Sequence, residues 1–120
     1  MIQHEKYTGA AREFLGKAQE ALSEGDLAQA SEKAWGAAAQ MLKAVAERRG
    51  WPHGGHAHLY EVVRLLVEET GDHQISTLFH VAGNLHNNFY ENWLPMELVA
   101  AGLTDVRQLV DKLEQLLVSP

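Results

Sequence analysis

The chain has 120 residues, with 16 acidic side chains against 10 basic, seven histidines, no cysteine and a formal charge of -6. That length fits one domain over residues 1–120, large enough to bury a core without cross-links. The absence of cysteine excludes disulfides, thiolate metal sites and a cysteine nucleophile. The acidic balance argues against a general nucleic-acid coat but leaves room for a local site.

The N-terminus, from Met1 to Phe14, is charged early and has no apolar targeting stretch. No apolar run approaches the roughly 20 residues that span a bilayer. The expectation is a cytoplasmic chain with no membrane contact.

Tyr7, Ala11, Phe14, Ala18 and Ala21 recur at helical spacing and lay one apolar stripe along a first helix. It ends near Ser23-Glu24-Gly25, with Gly25 left-handed. Asp26 caps the second helix, and Gln29 is placed to complete a capping box. So tight a connection makes an antiparallel hairpin. The second helix runs from about Leu27 to Arg49 and is rich in alanine, which favours helix and lets a neighbour approach closely. Gly50 and Pro52 stop it, and the stretch 51–56 reads as a loop.

A third helix spans about Ala57 to Thr70. Its apolar residues wrap widely, so it is expected to be central. Gly71 ends it and Asp72 caps a fourth, about His73 to Trp93. There Ile75, Leu78, Phe79, Ala82, Leu85, His86, Phe89 and Trp93 form the stripe. Pro95 interrupts the chain. A short turn over Met96–Ala101 and a last helix from Thr104 follow, with Leu103, Val106, Val110, Leu113 and Leu117 in register. No segment alternates as a strand does. The fold is expected to be all-α, an up-down antiparallel four-helix bundle with room for a short fifth helix.

Histidine is the residue type that points to chemistry. His53, His56 and His58 sit together in the loop and are close enough in sequence to share a metal. No carboxylate or cysteine completes the set nearby, so a solvated loop with no metal and no cofactor is the expectation. His86 lies within the apolar stripe of the fourth helix. One reading is a half-buried histidine satisfied by its neighbours. The other is a general acid or base, since imidazole titrates near neutrality. Asn84, Asn87 and Asn88 lie beside it in sequence but on other azimuths. His80 is more exposed and is placed as a phosphoryl acceptor of a histidine phosphotransfer bundle would be. The lysine that such domains carry after the histidine is absent, and Gly83 comes one place early. Arg48 and Arg49 complement the dipole at a helix end. Arg64 is spaced to pair with Glu61 or Glu68. Trp35, Trp51 and Trp93 read as core or interface anchors. Phe89, Tyr90 and Trp93 crowd one region of a small bundle, which favours a homodimer.

Two stretches carry a family likeness. Gly25-Asp26-Leu27 leads into Ala30-Ser31-Glu32-Lys33-Ala34-Trp35-Gly36-Ala37-Ala38, and later comes Leu85-His86-Asn87-Asn88-Phe89-Tyr90-Glu91. In this order and spacing the chain resembles the small HEPN (higher eukaryotes and prokaryotes nucleotide-binding) proteins, closest to their archaeal and thermophilic paralogous-repeat branch. The resemblance implies a homodimeric helical bundle. It also implies one of two activities: a metal-independent ribonuclease, often a toxin paired with a nucleotidyltransferase-like antitoxin, or a non-catalytic module that binds a nucleotide, RNA or a protein. The ribonucleases carry an arginine four to six residues before their histidine. Carried onto this chain, the histidine is His86, and the arginine positions hold Phe79, His80 and Val81. The arginine is missing, so the non-catalytic reading leads and the divergent ribonuclease follows. The candidate catalytic residues are His86, Tyr90 and His80. The candidate binding residues are Asn87, Arg49 and Arg64.

Overall fold

The computed structural model describes residues 3–118. It contains five helices and, among the described residues, no strand: α1 (Gln3–Ser23), α2 (Leu27–Arg49), α3 (His56–Thr70), α4 (Gln74–Glu91) and α5 (Met96–Val118). The fold is all-α, as the periodicity requires. No helix among the described residues is long and apolar enough to cross a membrane.

The helix ends follow local chemistry. Gly25 adopts φ +78°, and the Asp26 amide donates back to the Ala21 carbonyl at 2.9 Å. Asp26 then caps α2, its Oδ1 accepting from the Gln29 amide at 3.1 Å. The expected capping box is only half made, because the Asp26 N–H already serves the end of α1. Gly50 ends α2 with φ +74°, where a side chain would be strained. Asp72 caps the start of α4, accepting from the Gln74 amide at 3.0 Å, and its second oxygen accepts from Lys112 on α5 at 2.9 Å.

The central helix is α2, not α3. It packs against all four other helices, whereas α3 touches only α2 and α4. Fully buried Ala30, Ala34, Ala37, Ala38 and Ala44 remove bulk from its surface and let neighbours come close on several sides. The apolar excess on α3 is partly left half-buried, at Leu65 and Val67. The four long helices α1, α2, α4 and α5 make the main bundle, and the shorter extra helix is α3. The expected turn over Met96–Ala101 is absent: α5 is continuous from Met96. Pro95 stands just outside it, and its carbonyl accepts from the Leu98 and Val99 amides. A proline there loses no helical hydrogen bond. Gly102, buried on α5, lets α4 approach: a Cβ there would lie 3.1 Å from both Leu85 methyls.

The turn from α4 to α5 is organised by a side chain. Asn92 is left-handed at φ +53°, a conformation asparagine tolerates. Asn88 is fully buried, and its Oδ1 accepts from the Trp93 and Leu94 amides, each at 2.9 Å. Its Nδ2 donates to Ser31 Oγ on α2 at 2.9 Å, and Ser31 in turn donates to the Leu27 carbonyl.

Candidate functional site

Glu32 and Trp35 lie three residues apart on α2, and His86 and Tyr90 four apart on α4, so each pair shares a helix face. The two faces meet. The His86 ring stacks on the buried Trp35 indole, with centroids 4.9 Å apart and planes 27° apart. Its Nδ1 lies 2.8 Å from Glu32 Oε1. A carboxylate in that position holds the Nδ1–H tautomer and leaves Nε2 as the free nitrogen. Nε2 has no hydrogen-bond partner among the described residues and remains open to solvent.

Other rings complete the wall. His56, the first residue of α3, stands edge-on to both Trp35 and His86, at 5.3 and 5.2 Å between centroids. Tyr90 stands edge-on to His86 from the solvent side at 5.5 Å. Tyr60 on α3 rests its ring edge-to-face with buried Phe79 at 4.9 Å. Together with His80, Gly83, Asn84 and Asn87, the rings Trp35, His56, Tyr60 and His86 enclose a cleft of about 380 Å³. That is within the range of small-ligand sites.

The sequence-derived candidates divide. His86, His80 and Asn87 line this one cleft. Tyr90 flanks it, mostly exposed. Asn84 and Asn87 are not turned away from His86, since the cleft is wide enough to take in their azimuths; only Asn88 faces the interior. Arg49 and Arg64 are elsewhere. Arg49 pairs with Glu69 through two hydrogen bonds of 3.0 and 2.7 Å and lies against Trp51. Its guanidinium holds the Glu69 carboxyl below the usual carboxylate range. Arg64 is held by Glu61 and Glu68 along α3, as the spacing predicted. The loop histidines are dispersed: His53 bonds Glu47 at 2.8 Å and meets Tyr7 edge-on, His56 joins the cleft, and His58 is exposed. Among the described residues no group of three or more histidines and carboxylates is placed to hold a metal ion.

Sequence reasoning gave no site role to Glu32 or Tyr60, grouped His56 with the loop histidines and set Asn84 on another azimuth from His86. Glu32 was within reach, because it stands inside the first stretch that carries the family likeness. Its partner His86 is 54 positions away, which no periodicity connects. The fold shows why the two stretches travel together: Ser31 meets Asn88, and Glu32 and Trp35 meet His86.

A model of the archaeal PaREP1/PaREP8 family matches residues 6–110, a span that contains every cleft residue. The chain belongs to that family. The PaREP1/PaREP8 chain is also similar to a protein from Sulfolobus solfataricus known from its crystal structure. The two share 28% identity at a TM-score of 0.81, over 90% of this chain and 96% of that one. No curated protein matches this PaREP1/PaREP8 sequence.

Proposed function

We propose that this protein is a HEPN-like helical module that binds a nucleotide unit of RNA in the cleft around His86 and acts as a homodimer. The observation that carries this reading is the chemistry of the lining. In a chain of net charge -6, no carboxylate is among the residues that line the cleft, and Glu32, which adjoins it, is bonded to His86 Nδ1. It presents three imidazoles, two asparagine amides and an exposed tyrosine ring. Asparagine amides can match the donor and acceptor edges of a base. A tyrosine face can stack on it, a contact worth about 1–3 kcal/mol per base. Imidazole N–H groups can donate hydrogen bonds to phosphate oxygens. The HEPN assignment is supported by the contact between the two likeness-bearing stretches. The dimer is supported by Tyr90, Trp93, Met96 and Leu98, all at least half exposed around the α4–α5 turn.

The Glu32–His86 pair favours a second reading, a divergent ribonuclease. In it, His86 Nε2 takes the proton of a 2'-hydroxyl, the 2'-oxygen attacks phosphorus, and the 5'-oxygen leaves with a proton from a protonated imidazole. The products are a 2',3'-cyclic phosphate and a 5'-hydroxyl. The position of the missing arginine weighs against it. Phe79 is buried in the core, His80 alone of the three positions lines the cleft, and no guanidinium lines it. A developing phosphorane charge therefore lacks its strongest stabiliser.

Thermal shift with nucleoside monophosphates and electrophoresis of total RNA incubated with the protein separate the readings. Binding without cleavage, weakened by Asn87→Ala and His86→Ala, is expected. Cleavage lost in His86→Ala but retained in Arg64→Ala selects the ribonuclease. Neither binding nor cleavage refutes both.

A further inference from the structure

The cleft does not end at Trp35 and His56. These two residues also wall a second groove, of about 460 Å³, between α1, α2 and the start of α3. Its floor is Gly36, where an added Cβ would sit 3.4 Å from the Phe14 ring. Phe14 itself is half-buried and lines the groove, with Gly36 against its ring and the Lys33 ammonium 5.5 Å from its centroid. Gln40 and Lys43 line the far side, and again no carboxylate does. Arg12, Lys17, Arg49, Arg64 and Lys112 each have an acidic partner. Lys43, like Lys6, Lys33, Arg48 and Arg107, has none among the described residues, and it is the cation that lines this groove.

We infer that this groove is a second nucleotide subsite, so that the ligand is a single-stranded oligonucleotide spanning at least two residues. This rests on the reading of the His86 cleft given above. The two cavities are each large enough for one small-ligand unit and share a wall, which suits a repeating ligand. Each is lined by an aromatic ring, Tyr60 in one and Phe14 in the other, and by a side-chain amide. The internucleotide phosphate passes His56 at the shared wall, and the next phosphate meets the Lys43 ammonium. An acidic peptide would also meet Lys43 but would have no use for two ring-and-amide subsites.

The experiment is calorimetric titration with adenosine monophosphate, hexa-adenylate and hexaglutamate over a salt series, for the wild type and Lys43→Ala. Lys43 is half-buried at the groove edge, and alanine there preserves the helix. Hexa-adenylate is expected to bind the wild type about tenfold or more tightly than the monophosphate. In Lys43→Ala that advantage is expected to shrink to within about threefold, and the salt slope to fall by about 0.7, the value for one phosphate contact on a single strand. The part of monophosphate binding that depends on the first cleft, read as the part lost in His86→Ala, should be unchanged. Monophosphate binding with no gain for hexa-adenylate, or no effect of Lys43→Ala, overturns the second subsite and leaves the first standing. Hexaglutamate binding equal to hexa-adenylate overturns the nucleic-acid assignment. Binding of neither nucleotide probe overturns both the extension and the reading beneath it.

Discussion

Asn88→Ala is the substitution from which the fold predicts the largest loss at a polar position. Asn88 is fully buried, and three hydrogen bonds converge on it: one to Ser31 and two from the Trp93 and Leu94 amides. Each is worth about 1 kcal/mol net, and more where the abandoned partner stays buried. Trp93 is exposed, so water replaces the bond to its amide in part; Leu94 is half-buried and recovers less. Ser31 keeps its bond to the Leu27 carbonyl. The total is roughly 2–4 kcal/mol, a substantial share of the about 5–15 kcal/mol that holds a domain folded. For a chain of this size that lowers the melting midpoint by roughly 8–20 °C. Urea unfolding followed by far-ultraviolet circular dichroism gives the free energy directly. Ser31→Ala removes the Nδ2 partner together with the bond from Ser31 to the Leu27 carbonyl, and is expected to cost about 1–2 kcal/mol. The double variant should fall short of the sum by about 0.5–1 kcal/mol, because both substitutions break the same bond. A loss below about 1 kcal/mol for Asn88→Ala, or strict additivity with Ser31→Ala, refutes the idea that Asn88 ties the α4–α5 turn to α2.

The Asp72 carboxyl is held below its ordinary range, chiefly by the Lys112 hydrogen bond and further by the Gln74 amide. Its stabilising effect is therefore present above the unfolded pKa, near 4, and is lost as pH falls through the lower folded value. Asp72→Asn should be less stable than wild type at neutral pH, with the gap closing below about pH 4; a gap that persists at pH 2 contradicts this. Gly102→Val forces a branched side chain against the Leu85 methyls and is expected to cost about 1–3 kcal/mol in urea unfolding; unchanged stability means that α4 and α5 are not closely packed there. The proposed homodimer predicts that light scattering finds a dimer for the wild type and a monomer for Tyr90→Ser/Trp93→Ser, at little cost to the fold. A monomeric wild type at micromolar concentration sinks it.

The helix boundaries were legible because they are local events. Gly25-Asp26, Gly50 with Pro52, and Gly71-Asp72 terminate and cap through conformations and hydrogen bonds within a few residues of themselves, and helical spacing of apolar residues marks what lies between. The exception at Pro95 has the same origin. A proline forbids continuation of the helix before it but permits a new helix immediately after it, and the sequence does not say how soon. Which helix stands at the centre was a different kind of question. The alanine face of α2 proved more decisive than the apolar excess of α3, because close approach depends on what bulk is missing as well as on what apolar area is present.

His86 was legible as a histidine on an apolar stripe, and its surroundings were not. Glu32, Trp35, His56 and Tyr60 come to it from α2 and α3, across separations that carry no period. The amino-acid sequence by itself determined an all-α chain, the caps and stops of its helices, and the absence of an arginine at Phe79, His80 and Val81. Only the tertiary structure decided that His86 is held by Glu32 against Trp35, that the loop histidines part company, and that Arg49 and Arg64 are spent on Glu69 and on Glu61 and Glu68. The physical reason is that capping and periodicity act over one or two turns of helix, whereas a cleft is made by side chains whose only relation is that packing the core brings their helices together.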